Sequence, residues 1–104
     1  GSVTFTNETA SGWQQANFAT PIPIAANTTY IVSYFAPVGR YSKTENFFTS
    51  TGVVSGPLRA LAEGVDGSNG VYLYAAGGGF PNQSLRATNY FVDVVFTDTV
   101  APAI

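Results

Sequence analysis

Cysteine, histidine and methionine are all absent from the 104 residues of this chain. Without cysteine and histidine, the chain cannot form a disulfide bond, a thiolate nucleophile, an imidazole base or a metal site built from these ligands. The sequence therefore predicts neither a cofactor nor a metal site, and it favours a protein that is not an enzyme. The absence of cysteine agrees with many bacterial and archaeal surface proteins.

Charged residues are scarce, at 10% of the chain against about 25% in an average soluble domain. The formal net charge is −2, and the four cations lie scattered along the sequence at Arg40, Lys43, Arg59 and Arg86. The chain has no cluster of basic residues that could bind a polyanion, so no nucleic acid partner is expected. No apolar run is long enough to cross a bilayer, so membrane insertion is not expected either.

The strongest strand signal lies at residues 89–97, an aromatic and β-branched run with one charged residue, Asp93. Residues of these types prefer a pleated surface that is at least half-buried. Alternation along a strand puts Tyr90 on one face and Phe91 on the other. Residues 29–35 give the second strong signal, and shorter candidate strands lie at residues 3–6, 13–18 and 71–74.

Between these signals lies a long irregular region, residues 36–70, that is rich in glycine and proline. Within it, residues 58–63 fit either one helical turn or a short strand, and the Asp-Gly and Asn-Gly pairs of residues 66–70 are a strong turn signal. Short strands separated by turn residues are typical of a sandwich. We therefore predict an all-β fold, an antiparallel β-sandwich of Ig-like or jelly-roll-like type, over residues 1–97, with residues 98–104 as a linker or terminal extension toward a following domain.

Four sequence segments carry a resemblance to a known family. They are residues 10–14 (ASGWQ), 26–30 (ANTTY), 64–72 (GVDGSNGVY) and 88–96 (TNYFVDVVF). Segments of this kind occur in the same order in DUF4082, a family of domains of unknown function that this chain resembles. The resemblance implies a module of large secreted and cell-surface prokaryotic proteins, where the family lies beside Ig-like domains, fibronectin-like domains and carbohydrate-active enzymes. An extracellular or cell-surface location is therefore expected, with any leader sequence removed or lying upstream.

The resemblance also implies that this chain corresponds to the later part of the family domain, because family members carry further strands ahead of the equivalent of Val3. A sandwich without its first strands exposes a sheet edge that can pair with another chain. Self-association or a complementing strand is then expected, and residues 3–6 and 100–104 are candidate donor segments. The alternative is that the chain is a complete small sandwich. Members of the family also tend to have histidines in the segment equivalent to residues 34–41, whereas this chain has Phe35 and Arg40 in that segment.

Glycoside cleavage would require two carboxylates that face one cleft. Asp66 lies in a turn, where aspartate is favoured for turn geometry alone, and Asp93 is expected to pair with an arginine or a backbone amide. Residues 66–70 offer oxygen ligands to calcium, but the spacing and terminal glutamate of an EF-hand are missing. No catalytic residue is therefore predicted. The other carboxylates that could contribute to such a pair are Glu8, Glu45, Glu63 and Asp98.

Aromatic side chains are the better functional signal. Aromatic faces stack on sugar rings, and nearby asparagine, glutamine and serine side chains can bind the sugar hydroxyls. Several aromatic residues fall in loops or on the outer face of a predicted strand, and five are candidate ligand-binding residues: Trp13, Tyr34, Tyr41, Tyr72 and Tyr74. The alternative for each of them is a place in the core.

Three sequons begin at Asn7, Asn27 and Asn82, each in a predicted turn where a glycan can be attached. They are candidate glycosylation sites in a host that has the machinery. Two functional hypotheses result. The first is a non-catalytic extracellular module for adhesion or for recognition of a polysaccharide or glycan. The second is a structural subunit of an extracellular filament, assembled by strand addition between subunits.

Overall fold

The first sheet is a hairpin of β1 (Val53–Ser55) and β2 (Leu58–Ala60) in the computed structural model, which describes residues 1–97. The strands pair antiparallel, with Val53 opposite Ala60 and Ser55 opposite Leu58. Two residues, Gly56 and Pro57, connect them, and Gly56 takes φ +55°. Glycine with positive φ in the first of two loop positions is the requirement of a II′ hairpin turn. Of the two structures predicted for residues 58–63, a helical turn or a short strand, the short strand is therefore the one observed.

The second sheet pairs β3 (Val71–Tyr72) with β4 (Gln83–Ser84), also antiparallel. Val71 lies opposite Ser84, and the connection between the strands contains three consecutive glycines at residues 77–79. The predicted strand at residues 71–74 is thus present over its first two residues. Residues 1–97 contain these four strands and no helix, which confirms the all-β class.

The small core lies where residues 44–48 run beside residues 86–89. Thr44 and Asn89 form an isolated antiparallel bridge in which each backbone nitrogen donates to the other's carbonyl oxygen at 2.9 Å. The nitrogen of Phe48 donates to the carbonyl oxygen of Ala87 at 3.0 Å. Phe48 and Ala87 are buried, and Thr88 between Ala87 and Asn89 is only 1% exposed. The hydroxyl of Thr88 donates to the carbonyl oxygen of Leu85 at 2.6 Å, so this buried polar group is satisfied.

The predicted turn at residues 66–70 is present and packs against this core. Gly67 and Gly70 have φ of +74° and +79°, which glycine adopts without steric cost. A methyl group on Gly70 would overlap the backbone nitrogen and carbonyl oxygen of Thr88, whereas one on Gly67 would meet open space. Asn69 holds the loop together, since its nitrogen donates to Glu63 Oε2 at 2.8 Å and its amide Nδ2 donates to the carbonyl oxygen of Leu61.

The segments with the strongest strand signals lie outside the named strands. Residues 3–6, 13–18 and 29–35 form no ladder, and residues 89–97 take part in pairing only through Asn89 in the bridge to Thr44. Phe91 has φ +55°, which interrupts an extended run. β-branched and aromatic residues favour extended backbone, but a strand also requires a hydrogen-bonded neighbour, and within residues 1–97 these segments have none beyond the single bridge of Asn89.

Much apolar surface consequently faces outward. The accessible surface of the chain is 8619 Å², against about 5,600 Å² for a folded monomer of its mass. Val38 is 78% exposed, and Val54 and Val95 are each 72% exposed. None of the described residues forms a helix of the length and apolar character that a bilayer span requires. The predicted linker at residues 98–104, the donor segment at residues 100–104 and Asp98 lie outside the described residues.

Candidate functional site

Five tyrosines from separate parts of the chain come together in one group, which we call the tyrosine cluster: Tyr34, Tyr41, Tyr72, Tyr74 and Tyr90. The hydroxyls of Tyr41 and Tyr74 share a hydrogen bond of 2.7 Å, and the hydroxyl of Tyr34 donates to the carbonyl oxygen of Tyr90 at 2.9 Å. The ring of Tyr90 lies edge-to-face with those of Tyr41 and Tyr72, at centroid distances of 5.6 and 6.3 Å. Tyr72 and Tyr74 pack likewise at 5.5 Å.

The local structure explains why these side chains meet. Tyr72 ends β3, Tyr74 lies two residues further along the chain, and the two rings pack against each other. Tyr90 directly follows Asn89, whose bridge to Thr44 also brings Tyr41 near. Four of the five candidate ligand-binding residues therefore lie together. Tyr90, which joins them, was not among the predicted residues. Its position opposite Phe91 in the predicted strand was the available signal.

The cluster presents phenol groups to solvent. Tyr74 is 72% exposed, and Tyr34 and Tyr41 are each 39% exposed. The hydrogen bond between the hydroxyls of Tyr41 and Tyr74, with smaller contributions from partial burial and the neighbouring tyrosines, raises the pKa of Tyr41 to about 12. Burial, followed by the proximity of other tyrosines, raises the pKa of Tyr34 and of Tyr90. The hydroxyls of Tyr34, Tyr41 and Tyr90 accordingly keep their protons at physiological pH and can both donate and accept hydrogen bonds.

The fifth predicted residue, Trp13, lies in a different place, which we call the Trp13 cleft. This cleft of about 260 Å³ is lined by Trp13, Phe47, Phe48, Val53, Ala60, Asn89, Phe91, Val92 and Asp93. Trp13 and Phe91 pack edge-to-face, with ring centroids 6.5 Å apart. Tyr90 joins the tyrosine cluster and Phe91 joins the Trp13 cleft, so two consecutive residues contribute to two aromatic groups.

The carboxylates are distributed among structural contacts. Glu45 accepts from Lys43 at 3.0 Å and from Arg86 at 2.9 Å, and these two hydrogen-bonded cations lower the pKa of its carboxyl. Asp93 accepts a hydrogen bond from the backbone nitrogen of Val94 at 2.7 Å, as predicted, although its side chain is exposed rather than deep in a sheet. Across residues 1–97, no group of three or more acidic side chains is arranged to hold a metal ion.

The three sequon asparagines are all exposed. Asn7 and Asn27 have φ of 53° and 55°, the left-handed region that asparagine tolerates in turns. Asn82 lies directly before β4 rather than within a turn. Each side chain is sterically accessible for attachment of a glycan.

Comparison with known proteins gives one match. The sequence model of DUF4082, described as a domain of unknown function, matches residues 1–92. This range includes all of both aromatic groups except Asp93 of the Trp13 cleft. No curated protein and no solved structure matches the chain.

Proposed function

The chain belongs to the DUF4082 family, and from this membership we propose that it is a non-catalytic, extracellular or cell-surface β-sandwich module that binds carbohydrate at the tyrosine cluster. The observation that carries the proposal is the meeting of Tyr34, Tyr41, Tyr72 and Tyr74 around Tyr90. Such a module would serve adhesion or the recognition of a polysaccharide or glycan. The absence of histidine and cysteine supports a role in binding rather than in catalysis.

The chemistry of the cluster suits a polyhydroxylated ligand. Rings set at interplanar angles of 61° to 69° offer faces in several directions, and a sugar ring stacks through its apolar C–H face on such a surface. The paired hydroxyls of Tyr41 and Tyr74 supply one site that both donates and accepts. Tyrosine side chains have few rotatable bonds, so little conformational entropy is lost when they hold a ligand.

A glycan array probed with the whole chain and with tyrosine variants tests this proposal. Tyr74→Ala removes the most exposed ring of the cluster and is expected to weaken binding to any recognised glycan at least about fivefold. Tyr74→Phe keeps the ring and removes only the hydroxyl that forms a hydrogen bond with Tyr41, so it is expected to weaken glycan binding less. Tyr30→Ala is the matched control, because Tyr30 is 53% exposed and lies outside the cluster. Equal loss in the Tyr30 and Tyr74 variants would contradict a site at the cluster.

A second candidate function, a filament subunit assembled by strand addition, has its own support. The backbone groups of residues 1–35 form no backbone–backbone hydrogen bond within the described part of the chain. Residues 29–35 carry no charge, whereas natural sheet edges are usually protected by charges or proline. The surface of one chain in excess of a folded monomer is about 3,000 Å², which is more than the roughly 1,000–2,500 Å² that each partner buries in an obligate subunit interface. Strands from a second copy would satisfy both the backbone and this apolar surface.

Light scattering at several concentrations distinguishes the two functions. Strand addition predicts a mass above the 10.9 kDa of one chain that rises with concentration. Ile31→Lys places a charge in the unpaired segment and is expected to reduce assembly, whereas Val65→Lys, at a site 61% exposed in a loop, is the control. A monomer at every concentration would eliminate the filament role and leave carbohydrate binding as the function to test.

Glycosylation at Asn7, Asn27 and Asn82 is part of the proposed extracellular setting. Mass spectrometry of protein purified from its own host should find added glycan mass on at least one of these asparagines. The corresponding Asn→Gln variant should lack that mass. Unmodified peptides at all three positions would contradict the glycoprotein assignment.

A further inference from the structure

The Trp13 cleft has walls of aromatic rings that come from three distant segments of the chain. Trp13, Phe47 and Phe91 each contribute a partly exposed ring, and Trp13 itself is 68% exposed. The rings of Trp13 and Phe91 stand at 71° to each other, and those of Phe47 and Phe48 at 75°. The rings of each pair are inclined to each other, so they do not form one flat platform.

One charged side chain, that of Asp93, lines the cleft among the described residues. Val53 and Ala60, which lie opposite each other in the β1–β2 hairpin, also line it. The neighbouring pair Val54 and Arg59 projects to the other face of the hairpin by strand alternation, which keeps the Arg59 cation away. The cleft therefore combines several aromatic faces with a negative charge.

The polar atoms of the cleft are held in place by the backbone. Oδ1 of Asn89 accepts a hydrogen bond from the nitrogen of Phe91 at 2.8 Å, and Oδ1 of Asp93 accepts one from the nitrogen of Val94 at 2.7 Å. The other carboxylate oxygen, Oδ2 of Asp93, makes no hydrogen bond within residues 1–97. Asp93 is exposed, so a neutral ligand gains no charge pairing from this carboxylate, whereas a cation bound beside it would pair with it.

We propose that the Trp13 cleft binds an organic ammonium group, quaternary or alkylated, through cation–π contacts with Trp13 and Phe91 and charge pairing with Asp93. Tryptophan gives the strongest cation–π interaction of the aromatic residues. The volume of about 260 Å³ lies below the range of drug-sized pockets, so the ligand group is a small headgroup. The site is distinct from the tyrosine cluster, and its ligand class is different.

Fluorescence titration tests this inference directly, because Trp13 is the chain's one tryptophan and its emission reports on the cleft. Choline chloride is titrated into the whole chain beside sodium chloride at equal ionic strength and beside dimethylbutanol, the neutral carbon isostere of choline. We expect a saturable change with choline, no saturable change with sodium chloride, and binding of the isostere at least about fivefold weaker. Equal binding of choline and its isostere would overturn the proposal on the unaltered chain.

Two variants test the residues. Asp93→Asn keeps an oxygen that can accept from Val94, removes the charge, and is expected to weaken choline binding about fivefold without changing binding of the isostere. Asp66→Asn removes an exposed charge in the distant turn and should leave choline binding unchanged. An Asp93→Asn variant that binds choline as tightly as the parent chain would refute the role of the carboxylate.

Further titrations identify the source of the headgroup and separate this site from the carbohydrate site. Phosphocholine represents a phosphorylated headgroup and Nε-trimethyllysine represents a modified side chain, and saturable binding of either supports the cleft as an ammonium site. Tyr74→Ala should leave choline binding unchanged. A failure of glycan binding therefore does not affect this proposal, and a failure of choline binding does not affect the tyrosine cluster.

Discussion

The close approach of Gly70 to Thr88 yields the sharpest prediction for stability. Gly70→Ala requires alanine to adopt φ +79° and places a methyl group against the backbone of Thr88, the most buried residue of the core. The left-handed conformation costs roughly 1–2 kcal/mol for a residue with a Cβ, and forced overlap in a packed site adds about 1–3 kcal/mol. We expect Gly70→Ala to lower the free energy of unfolding by about 2–5 kcal/mol, the sum of these two costs.

Gly67→Ala is the matched control, because Gly67 has nearly the same φ, +74°, with nothing within contact distance of an added methyl group. It should show only the conformational cost of roughly 1–2 kcal/mol. Urea denaturation followed by far-UV circular dichroism measures both variants, and the difference in their free energies isolates the contact with Thr88. If the two substitutions cost the same, the packing of this loop against the core is wrong as described.

Three further predictions concern hydrogen bonds and titration. Because folding raises the pKa of Tyr41, its hydroxyl contributes to the free energy of unfolding in full below the ordinary tyrosine pKa, and this contribution is lost as pH rises from about 10 to about 12. Tyr41→Phe should remove that part of the loss of stability at alkaline pH, as measured by denaturation at several pH values. The lowered pKa of Glu45 gives the opposite dependence, with a contribution present above the ordinary glutamate pKa and lost as pH falls below it; Glu45→Gln should flatten the acid limb of the same curve, and an unchanged limb would contradict the pairing with Lys43 and Arg86. Thr88→Val keeps the shape of the side chain but removes the hydroxyl that donates to Leu85, so it should cost about 1–2 kcal/mol in urea denaturation; Thr28→Val, at an exposed turn hydroxyl, is the control and should change little.

Local turn chemistry could be read from the sequence because it depends on a few neighbouring residues. The Asp-Gly and Asn-Gly pairs of residues 66–70 predicted a turn that is present, and glycine at position 56 suits the observed hairpin. Residues 58–63 remained ambiguous, because six residues are too few to separate a period of two from a period of 3.6. The all-β class followed from the abundance of β-branched and aromatic residues, and the structure confirms it.

Pairing between distant segments could not be read in the same way. The runs at residues 29–35 and 89–97 have the composition of strands, yet a ladder depends on which backbone lies alongside, and that information is not local. The tyrosine cluster shows the same limit. Alternation assigned Tyr90 and Phe91 to opposite faces, but the hydrogen bond from Tyr34 to Tyr90 joins residues far apart in the chain. Candidate tyrosines were therefore predictable one by one, while their meeting around Tyr90 was not.

The bridge between Thr44 and Asn89 has a consequence for the timing of folding. The two partners lie about 45 residues apart, and a ribosome that adds 5–20 residues per second needs roughly 2–9 s to synthesise that interval. The β1–β2 hairpin is local and can form within microseconds of leaving the exit tunnel. Phe48, by contrast, has no Ala87 to pack beside until nearly the whole described chain has been made. The core of this chain therefore forms late in synthesis, and a chaperone that holds the first half of the chain would act during that interval.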